Sequence, residues 1–138
     1  MDGQMESLIC LDASVLIEYF RKKNKAETLF AKLALKYTGF VVPAVAHFEI
    51  YNGSTPLQNK YWDNLFCDFI ILPFTAYISI TAIKIRRQLK VLRITIEFKD
   101  LTIAASFLHH NFSLATINEK HFQNIKGLHL VTPSSFQL

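Results

Sequence analysis

The chain has 138 residues and a mass of 15.9 kDa, the size of one ordinary domain. Hydrophobic residues make up 51% and charged residues 19%, so a chain of this length can bury roughly two thirds of its unfolded surface, which excludes disorder as the main state. The formal net charge of +4 and the pI of about 9.1 give a mild bias towards polyanionic partners. We therefore expect a single domain over residues 1–138.

Short apolar runs alternate with helical patterns along the chain. The first half predicts, in order, a strand over Ser7–Leu11, a helix that begins at Ser14, a helix over Ala26–Tyr37 closed by Gly39, a strand over Phe40–Val45, helices over Ala46–Tyr51 and Leu57–Phe66, and a strand over Phe69–Leu72. The second half predicts a helix from Thr75 to about Leu92, a helix over Phe98–His110, and strands over Phe112–Thr116 and Leu128–Val131. This order predicts an α/β fold in which helices flank a central, mostly parallel sheet in three layers.

The cysteines and the most apolar window bear on location. Cys10 and Cys67 both lie in apolar segments, which indicates reduced thiols in the core of a cytoplasmic protein. Residues 1–10 lack the basic region and the long apolar stretch of a signal peptide, so we expect no export. The window Leu65–Ile83 is interrupted by an aspartate and a proline, and its pattern favours a short strand and a helix over a membrane span.

Three of the eleven acidic residues stand where a parallel sheet forms its sites, near the carboxyl ends of strands. Asp12 follows the first strand, Glu49 lies a few residues beyond the second, and Asp100 begins the helix LTIAASFL. No fixed basic partner for them is evident, and an ionised carboxylate in apolar surroundings is costly unless it is paired or bound to a cation. Carboxylates without cysteine or clustered histidine favour Mg²⁺ or Mn²⁺. Taken singly, the two aspartates could instead cap helices, and the glutamate could be a surface residue.

Positive charge is concentrated in two groups. The first comprises Arg21, Lys22, Lys23 and Lys25, and the second comprises Lys84, Arg86, Arg87, Lys90 and Arg93. On charge alone, a solvated helix face and a surface that follows a phosphate backbone are equally consistent with each group. Within the second group, we take Arg86, Arg87 and Lys90 as candidate nucleic-acid contacts.

Three stretches resemble the PIN-domain ribonucleases and, within them, the VapC toxins of type II toxin–antitoxin modules. They are LDASVLIEYF, VPAVAHFEIYNG and DLTIAASFLHHNFSLATINEKHF, in this order and spacing. The resemblance covers Leu11 to Val131, and its most specific part is the last stretch, in which an acid precedes IAA, a Leu-Ala-Thr strand, and Asn and Phe at fixed offsets. It implies a PIN-like fold and a Mg²⁺-dependent endoribonuclease that hydrolyses RNA with metal-activated water. It also implies a VapB-like antitoxin as partner and a homodimer.

The same resemblance implies roles for individual residues. The expected catalytic residues are Asp12, Glu49, Asp100 and Asn118, of which the three acids would bind the metal. Asn118 falls where relatives have Asp or Asn, and its amide could orient water or a ligand. Ser14 and Thr116 are expected to support the site with their hydroxyl groups. Ser14 is equally consistent with an ordinary serine at a helix N-terminus.

Two departures from the family pattern leave alternatives open. Many VapC sequences have an aspartate where this chain has His121, and neither that histidine nor the nearby Glu119 is an evident substitute. The second departure is Arg93, where relatives often have a turn glycine, so we expect a different loop there. The missing acid favours one alternative, a PIN-like module that binds nucleic acid or protein without turnover. A phosphotransfer enzyme with Asp12 as nucleophile is disfavoured, because the second aspartate of a DxDx motif is absent.

Overall fold

The structure is a computed structural model that describes residues 6–136, with side chains from residue 8 onward. Residues 1–5, on which the expectation of no signal peptide partly rests, lie outside this range, as do the last two residues of the predicted domain. The helices within residues 6–136 include none with the length and the hydropathy that a membrane span requires.

Five parallel strands form one sheet. They are β1 (Glu6–Leu11), β2 (Tyr37–Pro43), β3 (Ile70–Leu72), β4 (Leu114–Ala115) and β5 (Leu130–Val131), in the order β3-β2-β1-β4-β5. Six α-helices connect them: α1 (Ala13–Arg21), α2 (Leu29–Ala34), α3 (Ala44–Asn52), α4 (Pro56–Phe66), α5 (Ala76–Val91) and α6 (Phe98–His109). The arrangement confirms the predicted α/β class with a parallel sheet flanked by helices.

The central strand β1 is where the chain reverses its direction across the sheet. The chain passes from β1 to β2 and β3 on one side and then returns to β4 and β5 on the other. Ile9, Cys10 and Leu11 of β1 are fully buried. In an open parallel sheet, the crevice at the carboxyl ends of the strands next to such a reversal is the usual place for a ligand. Here it lies between the ends of β1 and β4.

Side chains at the helix N-termini set where the helices begin. Asp12, Thr28 and Thr75 cap α1, α2 and α5 by accepting hydrogen bonds from backbone N–H groups of the first turns. Thr55 forms a reciprocal capping box with Gln58 at α4. The cap at Thr75 confirms the predicted start of that helix, and Asp12 fills the capping role that the sequence left open for it.

The predicted helix over Ala26–Tyr37 is wrong at both ends. A 3₁₀ turn occupies Lys25–Glu27, and Thr28 then accepts the N–H of Ala31 and starts α2, which ends at Ala34. Gly39 does not close a helix, because it lies inside β2 and pairs with Leu8 of β1. Pairing with the central strand outweighs the local helical preference.

The prediction for the cysteines is right for one residue and wrong for the other. Both thiols are free. Cys10 is buried in β1, and burial raises its pKa. Cys67 follows the last residue of α4 and is exposed. Its apolar neighbour Phe66 is buried, but the Cys67 thiol does not share that position.

Arg93 forms the turn that follows α5. Its φ of 59° is in the left-handed region that favours glycine. The Arg93 N–H donates to Lys90 O at 2.9 Å, and the Ile94 N–H donates to Leu89 O at 2.9 Å, so the turn closes the helix as a glycine turn does. The arginine therefore adopts the backbone conformation that glycine favours, while the expectation of a loop that differs from those of relatives stays a prediction.

We expect Arg93→Gly to raise the free energy of unfolding by about 0.5–1 kcal/mol. The left-handed conformation costs a residue with a side chain about 1–2 kcal/mol, and the extra chain entropy of glycine offsets part of the gain. Urea denaturation measures the change. The control is Val91→Gly, at an exposed right-handed position in the last turn of α5, which should lower stability by about 1 kcal/mol. Equal effects of the two glycines would contradict the prediction.

Candidate active site

An open groove of about 380 Å³ lies at the carboxyl end of the sheet. Asp12, Glu49, Asp100 and Asn118 all line this carboxylate groove, so the fold brings the four expected catalytic residues together. They arrive on different elements: the end of β1, the middle of α3, the first turn of α6 and the loop after β4. The acids are therefore not dispersed over separate surfaces.

Asp12 is the most buried acid of the groove, with 5% of its surface exposed. Its Oδ1 accepts hydrogen bonds from the backbone N–H of Ser14 at 3.0 Å and from the Ser14 hydroxyl. Its Oδ2 accepts the Thr116 hydroxyl at 2.7 Å. Burial raises the pKa of Asp12, while the hydrogen bonds from Ser14 and Thr116 oppose that rise. These contacts hold the carboxylate in one orientation.

The two hydroxyl groups also connect Asp12 to the loop after β4. The Asn118 N–H donates to Thr116 Oγ1 at 3.0 Å, and the Ile117 N–H donates to Ser14 Oγ at 3.2 Å. Each hydroxyl thus donates to the carboxylate and accepts from the loop. The position of Asn118 at the groove depends on this network.

Glu49 is paired with a lysine that the sequence analysis did not connect to it. Lys99 Nζ lies 2.9 Å from Glu49 Oε2, and the hydrogen bond that Lys99 donates to this carboxylate is the main cause of a raised pKa of Lys99. The expectation that the three acids have no fixed basic partner is therefore wrong. Both side chains are about one third exposed, and solvated ion pairs of this kind contribute about 0–1 kcal/mol. Another cation can therefore displace Lys99 at little cost.

Asp100 is nearly buried and lies next to His121, the histidine at the position where the resemblance led us to expect a fourth acid. His121 Nδ1 is 3.1 Å from Asp100 Oδ2, and the histidine side chain is 47% exposed. Burial raises the pKa of Asp100, whereas His121 and Lys99 oppose that rise. Asp100 does not cap α6, because Glu97 holds the cap position. The capping alternative therefore applies to Asp12 alone.

In their present positions, the acids do not form a finished metal site. Within residues 6–136, no three Asp, Glu, His or Cys side chains are close enough together to hold one metal ion. Glu49 is turned to Lys99, and Asp100 is turned to His121. Asp12 nevertheless fits a hard cation, since it is a buried carboxylate and no basic side chain of the described residues lies within 4.0 Å of it.

The groove also contains charged residues that were not expected there. Arg21 and Lys99 line it as cations, and Glu18 lines it as a fourth carboxylate. Glu18 Oε1 accepts the Leu29 N–H at 2.9 Å and so holds the start of α2. The sequence spacing could have indicated that Glu18 and Arg21 line the groove. They lie about one and two helical turns after Ser14 and therefore on the same face of α1.

The candidate nucleic-acid contacts lie elsewhere. Arg86, Arg87 and Lys90 are exposed on α5 and do not line the carboxylate groove. Their role stays a prediction. His121 and Lys120 line a neighbouring depression that Asp100 separates from the carboxylate groove.

The PIN domain family model matches residues 9–128, so the chain belongs to the PIN domain family. Ribonuclease VapC1 of Methanocaldococcus jannaschii is 33% identical over 122 residues, which cover 88% of this chain and 83% of that protein. Ribonuclease VapC1 of Rickettsia felis is 43% identical over 67 residues, which cover 49% of this chain and 50% of that protein. These findings confirm the resemblance seen in the sequence.

Solved structures share the fold. DNA-bound VapBC from Salmonella typhimurium has a TM-score of 0.78 and 18% identity, covering 94% of this chain and 99% of that chain. VapBC2 from Rickettsia felis, bound to a DNA fragment from its promoter, has a TM-score of 0.75 and 19% identity, covering 91% of this chain and 98% of that chain. At these identities, the likeness establishes the fold alone.

Proposed function

We propose that this protein is an endoribonuclease of the VapC type that requires Mg²⁺, with Mn²⁺ as an alternative ion. One observation carries the proposal: Asp12, Glu49 and Asp100 come from distant parts of the chain and line one open groove. The fold and the named ribonucleases among its relatives support the same activity.

The chain's own residues would prepare this groove for hydrolysis of a phosphodiester. Bound Mg²⁺ would polarise a phosphoryl oxygen and lower the pKa of water. Ser14 and Thr116 keep the Asp12 carboxylate in a fixed orientation, so little reorganisation is needed when the ion binds. Lys99, once released from Glu49, is available to the phosphates of the substrate. Water attacks phosphorus, the bond to O3′ breaks, and that oxygen takes a proton, leaving a 3′-hydroxyl and a 5′-phosphate.

The proposal extends to partners and location. We propose that the protein is the toxin of a type II toxin–antitoxin module, that a VapB-like antitoxin covers the groove, and that the toxin forms a homodimer in the cytoplasm. Support comes from the solved VapBC complexes that share its fold. Arg86, Arg87 and Lys90, exposed on α5, are the proposed contacts for the RNA backbone beyond the groove.

A non-hydrolytic binding module is the second candidate function. It is favoured by the contacts of two of the three acids, since Glu49 is paired with Lys99 and Asp100 Oδ2 lies 3.1 Å from His121 Nδ1. In such a module, the basic side chains would persist on the acids instead of yielding to a metal ion.

Incubation of the purified protein with end-labelled single-stranded RNA separates the two functions. We expect cleavage with Mg²⁺ or Mn²⁺ and none with EDTA, and the products should carry 5′-phosphate and 3′-hydroxyl ends. Cleavage that persists in EDTA contradicts a metal-dependent mechanism. Metal binding in isothermal titration without cleavage of any RNA supports the binding module.

A further inference from the structure

A second groove, of about 460 Å³, adjoins the carboxylate groove and shares Glu49 and Lys99 with it. We call it the aromatic groove, because Phe48 and Phe98 line it, together with Asn52. Phe48 precedes Glu49 on α3, and Phe98 precedes Lys99 at the start of α6. The Glu49–Lys99 ion pair is therefore the wall between the two grooves.

The two phenylalanines are unusually open to solvent. Phe48 is 66% exposed and Phe98 is 68% exposed. Neither ring stacks on another aromatic ring of residues 6–136, whereas rings such as Phe20, Phe30 and Phe66 each contact several. Two unstacked rings beside a charged groove mark a binding surface.

We propose that the aromatic groove is a subsite for one unpaired nucleobase of the RNA whose backbone occupies the carboxylate groove. The inference rests on the proposed function. The phenyl faces of Phe48 and Phe98 offer the stacking surfaces that proteins use for single-stranded bases. The Asn52 amide can donate to and accept from a base edge. Lys99, between the grooves, is placed to contact the phosphate that joins this base to the cleaved bond.

The size and the charge of the aromatic groove favour a nucleoside over a segment of protein. A volume of about 460 Å³ is that of a pocket for a small ligand. A protein helix docks through a row of apolar anchors spaced over several turns. This groove instead ends at a charged pair, and the neighbouring groove on the same path is lined by acids that suit a metal-bridged phosphate.

The test uses a labelled oligoadenylate dodecamer and a matched oligomer in which the central nucleotides are abasic. Binding is measured by fluorescence anisotropy with Mg²⁺ in an Asp12→Asn background, where the proposed function predicts no hydrolysis. We expect Phe48→Ala and Phe98→Ala to weaken binding of the dodecamer about tenfold, the loss of roughly one stacked base. Neither variant should change binding of the abasic oligomer. Phe48→Tyr should retain binding, because the tyrosine ring also stacks.

Phe74→Ala is the matched control, since Phe74 is an exposed phenylalanine that lines neither groove. It should leave both affinities unchanged. The subsite is overturned if the parent cleaves RNA and the two alanine variants bind the dodecamer as tightly as the control. It is also overturned if they bind RNA normally and lose affinity only for an antitoxin, which would identify a protein as the occupant. Failure of the parent protein to bind or cleave any RNA instead overturns the proposed function, and the subsite with it.

Discussion

The Asp12→Asn variant is expected to lose RNA cleavage by at least about a hundredfold, the effect of removing one preorganised electrostatic group from an active site. The amide keeps the shape of the side chain. Its oxygen can still accept the Ser14 N–H, and its NH₂ group, in the place of Oδ2, can donate to the Thr116 oxygen. The amide lacks the charge that would hold Mg²⁺. A cleavage assay at saturating Mg²⁺ measures the loss. Cleavage at the parental rate would contradict the proposed role of Asp12.

The same substitution should not destabilise the metal-free fold. Burial raises the pKa of Asp12 above its ordinary value, so the folded state binds the proton more tightly than the unfolded state. The contribution of Asp12 to stability is therefore greatest below the unfolded pKa, and it is lost as the pH rises through the folded pKa. At neutral pH, we expect Asp12→Asn to be at least as stable as the parent, with a weaker fall in stability between acid and neutral pH. Burial also raises the pKa of Asp100. The variant should therefore retain the part of the fall in stability with rising pH that Asp100 causes.

Thermal unfolding with and without Mg²⁺ provides the control for this variant. An ion that binds only the folded state raises Tm, and the rise increases with the logarithm of the ion concentration relative to its Kd. Mg²⁺ should raise Tm of the parent at neutral pH and have little effect on Asp12→Asn. A similar rise in both proteins would indicate that the ion binds elsewhere.

The Lys99→Met variant is expected to bind Mg²⁺ about tenfold more tightly than the parent, because the ion no longer competes with an internal ammonium group for Glu49 and no longer meets its positive charge. Methionine retains most of the aliphatic length of lysine, so packing between α3 and α6 should persist. Isothermal titration at constant ionic strength measures the change in affinity.

Lys84→Met is the matched control for that experiment. Lys84 is exposed on α5 and lines neither groove, and its loss changes the net charge by the same amount. We expect its Mg²⁺ affinity to equal that of the parent. If the two methionine variants behave alike, the Glu49–Lys99 pair does not regulate access of the ion.

Patterns within a few residues of one another made most of the fold predictable. Each of the five predicted strands overlaps one of the observed strands, although β2 ends at Pro43 and β4 comprises only Leu114–Ala115, and Thr75 caps the helix that its position predicted. Placing Asp12, Glu49 and Asp100 in one groove required one further rule, that the carboxyl ends of parallel strands share an edge of the sheet. That rule depends on the order of the elements and not on their detailed packing.

The sequence by itself determined the element order, the parallel sheet and the residues that face its carboxyl edge, because periodicity, caps and turns act locally. Only the tertiary structure decided which basic side chains contact the acids. Lys99 and Glu49 are 50 positions apart in the chain, and they meet because α3 and α6 pack together. The aromatic groove beside them has the same origin. Strand pairing with β1 likewise placed Gly39 in a strand, since contacts between distant segments can outweigh local preference.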